Sequence, residues 1–161
     1  MADDHGSVTS RWTVQTRLSD SRWSINVVKF APKHLGLQFA TGSDDGKIRL
    51  YHFREGIWGR STEFEAIEGG VMSLSWNDSR YDPAMLVAGG KQPEAVVFMH
   101  HPGQDTWLPI TRLTGHTNDI HDVAWAPSVG RCVTTRGCCS IFSPLPVGHP
   151  FHYFILFLLP L

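Results

Sequence analysis

A short sequence pattern that occurs three times constrains the fold of this chain more than any other feature. Its copies run over residues 25–32, 71–78 and 120–127, so their starts lie 46 and then 49 residues apart. Each copy has apolar residues at its first, fourth and sixth positions, and the sixth is always aromatic: Phe30, Trp76 and Trp125. A period of this length, with several short strands in each unit, is typical of the blades of a β-propeller.

The segments between the copies also have the composition of strands. Residues 37–43 align with residues 85–90, and residues 48–53 align with residues 96–100. All four are short runs rich in β-branched and aromatic residues, bounded by Gly, Asp, Pro and Ser. No stretch has sustained helical periodicity of useful length. The sequence therefore predicts an all-β chain, an incomplete WD-repeat propeller with about two full blades and part of a third.

The polar signature of the repeat is present but scattered. In WD-type blades a loop His, a turn Asp and a strand Ser hydrogen-bond together and fasten the strands of the blade. The first unit has Ser43 and Asp45 without a matching loop His, and Tyr51 stands where the repeat usually has Trp. We assign a structural role in the repeat to seven residues: Ser43, Asp45, Gly46, Trp76, Gly115, His116 and Trp125.

The distribution of charge predicts where the propeller sequence ends. In residues 132–161 the only charged residue is Arg136, and all three Cys also lie there. We expect a disordered N-terminus over residues 1–11, a propeller fragment over residues 12–131, and an atypical apolar tail over residues 132–161 that is not native propeller sequence. Translated intron or out-of-frame sequence would explain the tail, and a genuine terminus is the alternative. Its apolar end is shorter than the ~20 residues that span a bilayer.

The composition argues against nucleic acid and membrane partners. The formal net charge is −1, so the chain lacks the basic surface that either a nucleic acid or an anionic membrane would attract. The three Cys do not have the spacing of metal ligands. We expect no cofactor, no direct nucleic acid contact and no membrane insertion.

The residues with catalytic or metal-binding chemistry fit structural roles better. His116 and His121 lie near Asp119 and Asp122, but a zinc site would need a third ligand in convergent geometry. No phosphate-binding glycine loop or nucleophile elbow occurs. A propeller hydrolase or lyase would need polar residues at the strand starts that face the central channel. Those positions are apolar (Ile25, Val71 and Ile120), so we expect no catalytic or metal site and no enzyme.

Several blocks of residues resemble one family more specifically than WD repeats in general. Residues 28–37, Val-Lys-Phe-Ala-Pro-Lys-His-Leu-Gly-Leu, and residues 40–51 resemble the small WD-repeat nucleoporin of the Seh family. Residues 74–80 and 121–131 are similar to it as well, and residues 12–22 look like the end of a preceding blade. The resemblance covers about residues 10–131. The related propeller of the COPII vesicle coat fits less well at the first block.

The resemblance implies a scaffold role in the nuclear pore complex. Proteins of this family form an open six-bladed propeller that an α-solenoid nucleoporin closes by inserting its own strands as a further blade. The pair joins other nucleoporins of the Y-shaped subcomplex at the nuclear envelope, where it supports protein and mRNA transport. The same propeller serves a nutrient-signalling coat complex at the vacuole or lysosome. A COPII-like or other WD-repeat adaptor is the alternative.

The resemblance assigns no residue that contacts a partner. The family has further blades before Trp12 and after Arg131, and the blade that accepts the partner lies in the preceding part. The residues of this chain that bind a partner therefore stay unassigned at this point.

Overall fold

Two four-stranded antiparallel sheets form the described part of the chain, which comprises residues 12–125 and the backbone of residues 155–156 in a computed structural model. This confirms the predicted all-β fold of incomplete propeller type. The proposed boundary after residue 131 lies outside the described residues, as do residues 1–11 and all of residues 132–161 except the backbone of two of them. These segment assignments stay predictions.

The first sheet has the strand order β1-β2-β3-β4 and is called the first blade. Its strands are β1 (Ile25–Phe30), β2 (Gln38–Ser43), β3 (Lys47–Arg54) and β4 (Ile57–Glu65). A single turn of 3-10 helix, η1 (Lys33–Leu35), lies in the connection from β1 to β2. The first strand coincides with the first copy of the repeated pattern, as its alternating apolar residues predict.

The second sheet has the same order, β5-β6-β7-β8, and is called the second blade. Its strands are β5 (Val71–Trp76), β6 (Met85–Gly90), β7 (Gln92–His101) and β8 (Thr106–Leu113). The third copy of the pattern begins a further unit with the short strand β9 (Ala124–Trp125). This strand pairs antiparallel with β10 (Ile155–Leu156).

The two blades pack face to face along a seam that contains most of the hydrophobic core. The first blade contributes Ala40, Ile48 and Leu50. The second blade contributes a larger and more aromatic set: Leu74, Trp76, Leu86, Ala88, Val96, Phe98 and Trp107. A smaller core covers the opposite face of the second blade, where Ile120 and Val123 pack against Val87 and Val97. Each unit of the repeat thus buries its apolar face against the next, which is why the pattern recurs.

Strand register shows which residues of the two blades correspond. Phe39 pairs with Tyr51 in the first blade, and Leu86 pairs with Phe98 in the second. Phe39 and Leu86 both pair with the aromatic residue that ends the inner strand of their blade. Tyr51 therefore corresponds to Phe98. Residues 48–53, which outnumber residues 96–100 by one, match them in register when the two segments are aligned at their C-terminal ends.

A one-residue shift between the two blades arises in the connection between the first and second strands of each blade. The inner strands β1 and β5 end 46 residues apart, whereas Phe39 and Leu86, like Tyr51 and Phe98, lie 47 residues apart. Seven residues separate β1 from β2, and eight separate β5 from β6. The apolar pattern of the strands does not show a difference of one residue in a loop.

A glycine at the same place in each blade allows the next inner strand to approach closely. A Cβ atom on Gly42 would lie 2.4 Å from Val71 Cγ1, and one on Gly89 would lie 2.6 Å from Ile120 Cγ2. Val71 and Ile120 are the first apolar residues of the second and third copies of the pattern. The first position of the second and third copies therefore packs onto a glycine of the preceding blade.

Candidate functional site

An ion-pair network fastens the second, third and fourth strands of the first blade at the turn where the repeat signature lies. Ser43 Oγ donates a hydrogen bond to Asp45 Oδ1. Arg49 donates from Nη1 to Ser43 Oγ at 2.7 Å, and its Nη2 forms an ion pair with Asp45 Oδ2. The Nε of Arg49 donates to Glu63 Oε2 at 2.8 Å. The Arg49 side chain, which is 5% exposed, thus joins the turn to β4.

The charges of this network are held in their ionised forms. Burial alone would raise the pKa of Asp45, but hydrogen bonds from Arg49, from Ser43 and from the backbone N–H of Lys47 outweigh it and lower the pKa to about 2. The ammonium group of Lys47, which donates to Glu63 at 3.0 Å, lowers the pKa of that carboxyl. The carboxylate of Asp45 in turn raises the pKa of Arg49. The network is a structural lock that keeps its charges over the physiological pH range.

The lowered pKa of Asp45 predicts a loss of stability in acid. A carboxyl whose pKa is about 2 when folded and 3.8 otherwise contributes stability above pH 4 that is lost as the pH falls toward 2. We expect this loss to be about 2 kcal/mol for Asp45. Urea denaturation at pH 5.5 and at pH 2.5 would measure this loss. The free energy of unfolding should fall less between those pH values in Asp45→Asn than in the unmodified chain. Asp78→Asn, which changes an exposed carboxyl, is the control and should lose as much as the unmodified chain.

Gly46 closes the turn of the same lock. Its φ is +79°, and a Cβ atom there would lie 2.3 Å from the carbonyl oxygen of Ile67. Its own carbonyl accepts hydrogen bonds from the backbone N–H groups of Ala66 and Ile67, at 2.9 Å and 3.1 Å. The turn therefore joins the hairpin of the first blade to the connection that enters the second.

Gly46→Ala is expected to destabilise the chain more than Gly56→Ala. Both glycines have similar positive φ values, +79° and +82°, but nothing lies within 4 Å of a Cβ atom on Gly56. Each variant should cost about 1–2 kcal/mol for its left-handed backbone, and only Gly46→Ala should add the clash with Ile67. Comparing the free energies of unfolding in urea isolates that contact. Equal losses would contradict the close approach.

A second polar group connects the second blade to the third unit. Ser73 Oγ donates to Asp122 Oδ1 at 2.6 Å and accepts from the backbone N–H of Val123 at 3.2 Å. Ser75 Oγ accepts from the backbone N–H of Trp125 at 2.9 Å. Serine side chains on β5 therefore hold the start of β9, where no strand ladder joins the two. Asp122 thereby has a structural role between the second blade and the third unit.

A third polar group crosses the seam between the first two blades. Asn26 Nδ2 donates to Asp44 Oδ1 at 2.9 Å and to the backbone oxygen of Val71 at 3.0 Å. Lys91 Nζ also donates to Asp44 Oδ1, at 3.2 Å. The turn of one blade is thus tied to the turn and inner strand of the next.

The structure separates the other predicted signature residues from the Ser43–Asp45 turn. Trp76 lies in the seam, where its Nε1 donates to the backbone oxygen of Lys29 at 3.1 Å. Trp125 packs against the smaller core behind the second blade. Gly115, with φ +135°, and His116 lie in the connection from β8 to β9. Trp76 thus belongs to the second blade, and the other three residues belong to the unit that follows β8.

Sequence reasoning missed Arg49, which organises the lock of the first blade. Arg49 pairs with Glu63 across β3 and β4, and Lys47 pairs with Glu65 in the same ladder. Two cations two residues apart on one strand, and two anions two residues apart on the next strand, predict ion pairs between the strands. Recognising it needs the register of β4, which the repeat alignment did not include.

The outer side of the first blade carries an aromatic surface, here called the front face. It consists of five aromatic side chains whose rings contact one another: Phe30, Phe39, Tyr51, Phe53 and Trp58. Phe30 is 63% exposed, and Val28 beside it on β1 is 52% exposed. Tyr51 is buried, and its burial, followed by the nearby Asp20 carboxylate, raises its pKa.

Register shows what the front face corresponds to in the second blade. Phe30, Phe39, Tyr51 and Trp58 occupy the positions of Trp76, Leu86, Phe98 and Trp107. Those four residues form the side of the second blade that packs on the first. The front face is therefore the kind of surface that a neighbouring blade covers.

Within the described part of the chain, no group of three or more His, Cys, Asp or Glu side chains is placed to hold a metal ion. No helix in that part is long and apolar enough to cross a membrane. The arrangement of the polar groups favours fastening strands and blades to one another.

Comparison with known proteins identifies the repeat and its relatives. The family described as "WD domain, G-beta repeat" matches residues 12–52 and 107–143. The second match runs past residue 131, where the charge distribution predicts the end of propeller sequence. Together with the two blades, this match confirms the predicted fold class, an incomplete WD-repeat β-propeller.

Proteins named nucleoporin SEH1 are similar to most of the chain. The Danio rerio protein is 34% identical over 134 residues, 76% of this chain and 36% of its own length. The Saccharomyces cerevisiae protein is 34% identical over 133 residues, 75% of the chain and 37% of its own. The Drosophila melanogaster protein is 35% identical over 133 residues, which are 76% of this chain and 37% of its own length. The resemblance to Seh-family nucleoporins is confirmed, and the chain spans little more than a third of the length of these relatives.

Proposed function

We propose that the chain is a non-enzymatic scaffold component of the nuclear pore complex and acts in its Y-shaped subcomplex at the nuclear envelope. The similarity to the SEH1 nucleoporins supports this proposal. Its partners are an α-solenoid nucleoporin that completes the open propeller, and other nucleoporins of the subcomplex. Through them the chain supports protein and mRNA transport, and the same scaffold serves the nutrient-signalling coat at the vacuole or lysosome.

The front face, on which Phe30 and Phe53 are exposed, is the observation that carries the scaffold function. Phe30 and Trp58 occupy the positions in the first blade that Trp76 and Trp107 occupy in the second. In the second blade these two tryptophans are buried against the first blade. Exposed aromatic surface of this kind marks a contact with another protein surface. A β-sheet that packs as the first blade packs on the second would cover it, and the propeller is completed in this way.

Affinity purification of the tagged chain from cells, with identification of the recovered proteins, tests this assignment. We expect an α-solenoid nucleoporin and other Y-subcomplex nucleoporins to be recovered. Phe30→Asp should lower their recovery, because it places a charge on the front face. Tyr81→Asp is the matched control, since Tyr81 is 96% exposed in the connection between β5 and β6. Recovery of vesicle-coat subunits in place of nucleoporins would favour the COPII-like alternative.

A further inference from the structure

A group of polar side chains lies at the edge of the seam between the first and second blades. It is here called the histidine cluster and consists of five residues: Gln38, His52, Arg54, His100 and Asp105. His52 and Arg54 lie on β3, and Gln38 begins β2. His100 lies on β7, and Asp105 lies in the turn that follows this strand. The cluster thus contains one histidine from each blade.

Hydrogen bonds fix the orientation of the Gln38 amide. Its Nε2 donates to the backbone oxygen of Leu35 at 3.0 Å, which turns Oε1 toward His52. An amide oxygen can only accept, so the Nε2 of His52 carries the proton in this contact.

The other ring nitrogen of His52 is an acceptor. Arg54 Nη2 lies 3.4 Å from His52 Nδ1, and a guanidinium group can only donate. The two contacts together specify a neutral imidazole with its proton on Nε2. A second proton on Nδ1 would break the contact with Arg54 and place two positive charges against each other.

The second blade adds a further histidine to this environment. His100 Nε2 lies 3.0 Å from Asp105 Oδ1, and its ring packs on Trp107 with centroids 5.4 Å apart. Trp107 stacks in turn on Phe64 of the first blade, at 6.0 Å. Asp105, the one carboxylate of the histidine cluster, is 88% exposed, so solvent screens its charge. A charge gained by His52 is therefore poorly compensated beside the aromatic core of the seam.

We propose that the histidine cluster makes the seam between the two blades acid-sensitive, because His52 must stay neutral for its contacts with Gln38 and Arg54 to persist. The charged and titratable groups that act on it are Arg54 from its own strand, and His100 and Asp105 from the second blade. Protonation of His52 places a second positive charge beside Arg54 at this edge of the seam.

The direction of the pH effect follows from the environment of His52. Burial lowers its pKa below 6.5, Arg54 and His100 lower it further, and Asp105 opposes them. The folded chain therefore takes up this proton at a lower pH than the unfolded chain does. The stability that His52 contributes is complete above its ordinary pKa, and it is lost as the pH falls from about 6.5 through the lowered value.

Urea denaturation of the full chain at pH 7.5 and pH 5.5, followed by tryptophan fluorescence, tests the proposal. The urea midpoint should fall on acidification, and His52→Gln should reduce that fall by about half or more. His34→Gln is the matched control, because His34 is exposed on η1, and it should retain the whole fall.

A second variant keeps the test decisive if His52→Gln does not fold. Arg54→Gln removes the cation that faces His52 from an exposed position, and it should also reduce the fall in the urea midpoint. The proposal is overturned if the urea midpoint of the unmodified chain is the same at both pH values. It is also overturned if the midpoint falls equally on acidification in the unmodified chain, in His52→Gln and in Arg54→Gln. Because the readout is stability alone, the outcome does not depend on the identity of the chain's partners.

Discussion

Replacing Arg49 with methionine is expected to lower the free energy of unfolding by about 3–5 kcal/mol. The change leaves the Asp45 carboxylate largely buried without its cation and removes the bond from β3 to Glu63 on β4. Methionine keeps a long apolar stem, so the loss reports charge and hydrogen bonds more than volume. Urea denaturation at pH 7, followed by tryptophan fluorescence, measures it.

Two further variants separate the lock from general effects of charge. Arg60 also forms an ion pair with Glu63, but its side chain is 42% exposed, so Arg60→Met should cost at most about 1 kcal/mol. Adding Asp45→Asn to Arg49→Met should recover part of the loss, because no unpaired charge is then left in the turn. Equal losses for Arg49→Met and Arg60→Met would contradict the role of Arg49 as the organising residue.

Trp76→Ala is expected to have a comparable effect on the seam, about 3–5 kcal/mol. The indole is 7% exposed, and its ring lies edge-on to Trp107 with centroids 5.7 Å apart. Trp76→Phe keeps most of the apolar volume and removes the hydrogen bond to the backbone of Lys29, so it should cost about 1 kcal/mol. Urea denaturation followed by circular dichroism suits these variants, since the fluorescence signal itself changes.

Trp12→Ala is the matched control for tryptophan loss. Trp12 is 98% exposed, and its removal should change the free energy of unfolding by no more than about 0.5 kcal/mol. A loss for Trp76→Ala no larger than that of the control would mean that the two blades do not pack as described.

The repeated pattern predicted the blades because its apolar positions are the ones that a blade buries against its neighbour. The first two copies became the inner strands β1 and β5, and the third ends in β9. Trp76 and Trp125 lie at faces where neighbouring units pack, whereas Phe30 lies on the exposed front face. Such positions recur because every blade meets the same kind of neighbour. The turn at Ser43 and Asp45 was likewise predictable, since few residues suit a tight hairpin.

The sequence did not predict contacts that depend on register between strands. Arg49 and Glu63 are far apart in the chain and meet only because β3 and β4 pair as they do, across a bulge. The histidine cluster depends in addition on how the second blade sits on the first. His116 lies in the connection that leads to β9, and its assignment to a repeat lock stays a prediction. Contacts of this kind follow from the packing of sheets, which the periodicity of one strand does not encode.

Fluorescence microscopy of the tagged chain tests the scaffold proposal most directly, by the ratio of signal at the nuclear rim to signal in the cytoplasm. We expect a continuous rim that coincides with scaffold nucleoporins, and a lower ratio for Phe30→Asp than for Tyr81→Asp. Accumulation at sites of vesicle budding, or an even distribution for the unmodified chain, would contradict it.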